Sequence, residues 1–116
     1  MAESIVADKS KRFAVNIIKL YQWLCSEKKE FIMSKQILRS GTSIGANVKE
    51  AVRGYSQSDF YAKMGIALKE ASETEYWLEI LNETGYLDDA VFRPIYEGCQ
   101  ELIRILVAIV KKKDDK

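Results

Sequence analysis

Apolar residues recur at three- and four-residue steps through four long stretches of this chain, and only short polar connections separate those stretches. That spacing suits helices packed side by side and little else. One proline and six glycines leave scant material for the turn-rich chemistry of a β fold. The expectation is an all-α, antiparallel up-down four-helix bundle in a single domain, residues 1–116, with helices at about 5–29, 34–53, 57–84 and 89–113. A chain of 116 residues is long enough to bury one core without staples.

On the first helix Phe13, Ile17, Leu20, Tyr21 and Leu24 form the stripe, widened by Ala14, Ile18 and Cys25. The second places Ile37, Gly41, Ile44, Val48 and Ala51 on one face, with Ser34 as its expected N-cap. Gly41 and Gly45 each cost about 1 kcal/mol of helix propensity relative to alanine. Their presence implies close approach of a neighbouring backbone, or else a break at Gly41. Ser56, with Asp59 three residues on, should start helix three, which carries Phe60, Met64, Ala67, Leu68, Ala71 and Leu78 and stops at Gly85. Asp88 or Asp89 opens helix four. Pro94 is tolerable only near its first turn, so regular helix is expected from about Phe92.

Two helices are apolar on too many sides for a lone bundle. Ile95, Tyr96, Cys99, Leu102, Ile103, Ile105, Leu106, Val107, Ile109 and Val110 spread over roughly 200° of the helix-four wheel. Helix three carries a second strip of Ala62, Ile66, Trp77 and Ile80. Such surplus surface points to homo-oligomerisation. A helix covered on several sides within one chain is the plainer alternative.

The sequence contains no histidine, which removes the usual neutral-pH general base and the commonest metal ligand. It also lacks the glycine-rich phosphate loops and the nucleophile elbow of familiar enzymes. The expectation is a protein that is not an enzyme and has no cofactor or metal. Cys25 and Cys99 lie on apolar stripes outside any CxxC pattern and read as buried free thiols. Residues Met1 to Arg12 show no apolar signal core, and the apolar run Leu102 to Val110 is too short for about 30 Å of hydrocarbon. A cytoplasmic protein with no membrane partner is expected.

Polar residues stand beside the core in two places. Arg39, Ser43, Asn47 and Glu50 follow one another along helix two, and Glu73 sits within the second apolar strip of helix three. One reading is a structural network joining Arg39, Ser43, Asn47, Glu50 and Glu73, in which Glu73→Ala damages folding or assembly. The other is a pair of carboxylates poised for acid–base work.

Net charge is only +1, but its distribution is uneven. Met1 to Arg53 holds ten basic and five acidic residues, a net of +5, and Gly54 to Lys116 holds eight and twelve, a net of −4. Lys35, Lys49 and Arg53 fall within about 40° of one another on helix two, with Thr42 between them. Lys9, Lys11, Arg12 and Lys19 add to this from helix one, and Lys111, Lys112 and Lys113 from the tail. These ten cations are the candidate nucleic-acid-binding residues. An ordinary solvated helix face is the alternative.

The segment Ser34 to Ala51, with Gln36, Arg39, Ser40, Ser43, Ile44, Asn47 and Glu50 in order, resembles the signature of the four-helix bundle proteins encoded in intervening sequences of bacterial 23S rRNA genes. The segment Ile66 to Leu81 is similar to that family's third helix, with Glu73 at its characteristic acid. One departure is Gly54, since the family commonly places a glycine where this chain has Ala51. The resemblance implies a bacterial origin and assembly as a homo-oligomeric ring, a pentamer. It also brings in the accessory variability determinant of diversity-generating retroelements, which resembles this fold, carries a basic surface and partners a reverse transcriptase and nucleic acid. The expected function is therefore an oligomeric accessory factor that binds structured RNA, DNA or a nucleoprotein partner through basic helix faces. The competing reading is a protein-only assembly or scaffold factor with no nucleic-acid affinity.

Overall fold

The computed structural model describes residues 2–115 and contains four α-helices: α1 (Ala2–Glu27), α2 (Met33–Val52), α3 (Gln57–Glu83) and α4 (Asp89–Lys111). A short 3-10 turn, Lys112–Asp115, follows α4, so regular helix ends two residues before the expected 113. No strand occurs among the described residues. The helices form a rod of 47 × 20 × 20 Å.

Residue pairs across each seam show the antiparallel course. Gly41 of α2 lies against Ile17 of α1, and Gly45 against Ser10. Between α2 and α3, Ser40 meets Thr74 while Glu50 meets Lys63. Ala71 meets Cys99 and Glu79 meets Tyr96 between α3 and α4, and where α4 closes against α1, Lys9 meets Glu101 while Phe13 lies against Gly98. In each case the number rises on one helix as it falls on the next. Helix α2 is continuous through Gly41, because the glycine serves packing and not a break.

The expected stripes supply the core. Phe13, Ile17, Leu20 and Leu24 of α1 meet Ile37, Ile44, Val48 and Ala51 of α2, with Met64, Ala67, Ala71 and Leu78 of α3 and Leu102 and Leu106 of α4. Between α2 and α3 the core also holds a hydrogen bond, in which Thr74 Oγ1 donates to Ser40 Oγ at 2.9 Å. Every buried side-chain nitrogen and oxygen among the described residues has a partner, as a low-dielectric interior requires.

Helix termini follow local chemistry with two exceptions. Ser56 accepts from the Asp59 N–H at 3.0 Å, and Asp88 accepts from the Val91 N–H at 3.0 Å. Thr84 closes α3, and Gly85 follows with φ of +86°, a conformation natural to glycine. The first exception is α2. Ser34 is not its N-cap but lies inside the helix, buried, with its Oγ 3.8 Å from Cys25 Sγ. The work is done by Glu30, whose carboxylate accepts from the N–H groups of Ile32, Met33 and Ser34 at 3.2, 3.1 and 2.7 Å. The second exception is α4, which begins at Asp89, so Pro94 falls in its second turn. Pro94 and Ala90, whose carbonyl loses its usual donor, are both exposed, where water can replace that hydrogen bond.

Surplus apolar surface remains after the core is filled. Ile66 and Tyr76 on α3, Val107 on α4, and Ile5, Val15 and Ile18 on α1 are exposed, while Trp77, Ile80, Ile103 and Ile105 are half-buried. Cys99 is buried and donates to the Ala71 carbonyl at 3.3 Å. Cys25 is only half-buried, contrary to expectation, because it sits at the end of α1 where the connection begins. Both thiols are free.

Candidate nucleic-acid interface

Two helices brought close by small residues leave a shallow trough between them. Ala7, Asp8, Lys11 and Ala14 of α1 face Thr42, Gly45, Ala46, Lys49 and Val52 of α2, with Arg53 just beyond its end, across a groove of about 470 Å³. A Cβ on Gly45 would come within 3.2 Å of the Ser10 carbonyl oxygen, so glycine sets the depth of approach here. Its apolar lining is mostly small, Ala7, Ala14, Gly45 and Ala46, and Lys11, Lys49 and Arg53 line it too, all three exposed. Asp8, the one acid in the groove, is engaged by Arg12 at 2.5 Å. Among the described residues, Lys11, Lys49 and Arg53 have no ion-pair partner.

Lys49 and Arg53 also line a second basin, of about 410 Å³, at the α2–α3 turn, with Glu50, Gly54, Tyr55, Asp59 and Lys63. Lys63 pairs with Glu50 at 3.0 Å, and that hydrogen bond and charge raise the Lys63 pKa above its ordinary value.

The other candidate cations do not join this groove. Lys35 precedes Lys49 by fourteen residues on the same helix, about 21 Å along its axis at 1.5 Å per residue. Lys9 turns toward α4 and pairs with Glu101 at 3.2 Å, while Arg12 is taken by Asp8. Lys19 borders a separate hollow with Asn16, Trp23, Val91 and Ile95. Lys111, Lys112 and Lys113 are exposed at the end of α4.

The five polar residues beside the core do not form one network. Arg39 meets Glu73 in a short ion pair and lies 3.5 Å from Glu70, and Trp77 Nε1 donates to Glu73 at 3.4 Å. Ser43 and Asn47 instead satisfy carbonyls one turn back on their own helix, Ser43 Oγ donating to Arg39 O at 2.6 Å and Asn47 Nδ2 to Ser43 O at 2.8 Å. Glu50 sits about three turns beyond Arg39, where the antiparallel neighbour presents Lys63. Glu70, Lys63 and Tyr55 escaped the sequence reading. Glu70 and Glu73 are one turn apart, a signal for a shared cation. The pairing of Glu50 with Lys63 follows only once the axial offset of α2 and α3 is known.

Among the described residues there is no cluster of three or more potential metal-ligating side chains, and no helix is long and apolar enough to cross a membrane. No curated protein matches the chain. A crystal structure of a protein of unknown function from the S23 ribosomal protein family of Bacteroides thetaiotaomicron is similar throughout, with 52% identity and a TM-score of 0.93. The match covers 96% of this chain and 99% of that one. The family described as 23S rRNA-intervening sequence protein matches residues 2–108. This chain therefore belongs to the 23S rRNA-intervening sequence protein family.

Proposed function

We propose that this protein is a non-catalytic, self-associating bundle that binds nucleic acid, free or held in a nucleoprotein enzyme such as a reverse transcriptase, through the α1–α2 groove. The observation that carries this reading is the convergence of Lys11, Lys49 and Arg53 on one groove with no acid paired to them among the described residues. An ammonium or guanidinium without a fixed partner is available to a phosphate, and each phosphate neutralised releases counterions. The groove offers cations and small apolar groups and no pair of facing carboxylates, which favours binding over chemistry.

Self-association rests on Ile66, Tyr76, Trp77 and Ile80, an apolar strip on α3 that the single chain leaves wet or half-wet. Joined copies, in a ring such as a pentamer, would repeat the groove and multiply weak phosphate contacts.

Filter binding of ribosomal RNA fragments across salt concentrations tests the reading. Affinity should fall steeply with salt, and Lys49→Glu with Arg53→Glu should weaken it by more than about tenfold and flatten the salt slope. Lys9→Glu, whose native side chain is tied to Glu101, should have a smaller effect. A folded protein with no affinity for RNA or DNA at low salt would leave the scaffold reading in its place.

A further inference from the structure

Tyr55 is the most exposed large apolar side chain described, at 104% of its reference area, and it stands on the turn where the basic groove ends. Its backbone is held on both sides. Gly54 N–H donates to the Ala51 carbonyl at 3.1 Å, and Ser56 caps α3 by accepting from Asp59 N–H. The ring is therefore presented from a fixed turn with no neighbour over either face. Around it lie Lys49, Arg53 and Lys63, with Glu50 already engaged by Lys63 and Asp59 at the start of α3.

Lys49 and Arg53 belong to both hollows, so a run of cations leads from Lys11 in the groove to the aromatic ring at the turn. A positively charged track ending on an open aromatic face is the combination that holds unpaired nucleotides, with phosphates on the cations and a base on the ring. A base inside a duplex has both faces covered by its neighbours and cannot stack this way.

We infer that Tyr55 is a stacking platform for an unpaired base, and that the ligand of this surface is single-stranded nucleic acid whose backbone follows Lys11, Lys49 and Arg53. This inference rests on the nucleic-acid reading of the groove and narrows it to single strands.

Fluorescence anisotropy with three labelled probes separates the two ideas: an oligothymidylate, an abasic phosphodiester chain of equal length, and a duplex. Tyr55→Ala should weaken oligothymidylate binding by about tenfold and leave the abasic chain and duplex unchanged, while Tyr55→Trp should retain binding. Equal weakening on all three probes, or none on any, would overturn the stacking role. If Lys49→Glu with Arg53→Glu abolishes binding but Tyr55→Ala does nothing, the groove stands and the platform falls. If the unaltered protein binds none of the probes, both fall together.

Discussion

A Cβ placed on Gly41 would lie 2.8 Å from both Cγ1 and Cγ2 of Ile17, a separation that real side chains essentially never show. Ile17 is fully buried and β-branched, so it has no low-energy way to step aside. Gly41→Ala should therefore destabilise the fold by about 1–2 kcal/mol, since overpacking outweighs the better helix propensity. Gly65 has nothing within 4 Å of the same construction. Gly65→Ala should stabilise by up to about 1 kcal/mol. Urea midpoints at an unchanged slope would check both, and a stabilising Gly41→Ala would contradict the packing account.

Glu30 replaces a conventional cap by accepting three consecutive backbone N–H groups at the start of α2. Removing it with Glu30→Ala should cost about 1–2 kcal/mol, and Glu30→Gln, which keeps an acceptor but loses the charge, should cost less. Lys29 beside it has φ of 53°, so Lys29→Gly should recover a fraction of a kcal/mol, on the order of the left-handed penalty it relieves. Thermal unfolding of the three variants would rank them. A Glu30→Ala chain as stable as the original would remove the capping role.

Arg39, Glu70 and Glu73 have side chains 53%, 17% and 35% exposed, beside an apolar strip that is incompletely covered. In a free chain, such a half-wet pair contributes at most about 1 kcal/mol. If copies join over this strip, the same pair is drawn out of water and its loss becomes an assembly defect. Light scattering on dilution should show Glu73→Ala dissociating at higher concentration than the original, with Glu50→Ala unaffected. Coincident dilution curves would detach Glu73 from assembly.

Alkaline conditions should weaken the fold through two groups on α4. Tyr96 donates to Glu79 at 2.5 Å, and that bond, then burial, pushes its pKa from 10.0 to about 12. Burial does the same to the Cys99 thiol, from 9.0 to about 12. Both are raised in the folded state, so their contribution is complete below pH 9 and is lost as pH climbs from there toward 12. The urea midpoint should fall across that window, and Tyr96→Phe should flatten the part between 10 and 12. An unchanged slope in Tyr96→Phe would show that Tyr96 titrates normally. Iodoacetamide at neutral pH should modify the half-buried Cys25 and spare Cys99.

Much of the bundle was legible because its signals are local. Ile37, Gly41, Ile44, Val48 and Ala51 share a face by helix geometry alone, and all five are buried. Ser56 and Asp88 cap their helices through bonds that span three residues. The Glu30 cap is not legible in the sequence, because its reach crosses an irregular turn where no periodic pattern announces the carboxylate's direction. The candidate site depends on contacts that are not local. Charge counting grouped ten cations, and the groove gathers Lys11, Lys49 and Arg53 while Lys9 and Arg12 are spent on acids.

By itself, then, the amino-acid order determined four amphipathic helices, the Ser56 and Asp88 caps, and a basic first half against an acidic second, while the choice at Gly41 between close packing and a break fell to the structure. Only the tertiary structure decided that Glu50 meets Lys63, that Arg39 lies between Glu70 and Glu73, and that Tyr55 stands open beside Lys49 and Arg53. The reason is geometric. Bonding within one helix sets which residues share its face, but the rotation and axial offset between helices come from how side chains such as Ile17 and Ser10 seat against the glycines opposite them.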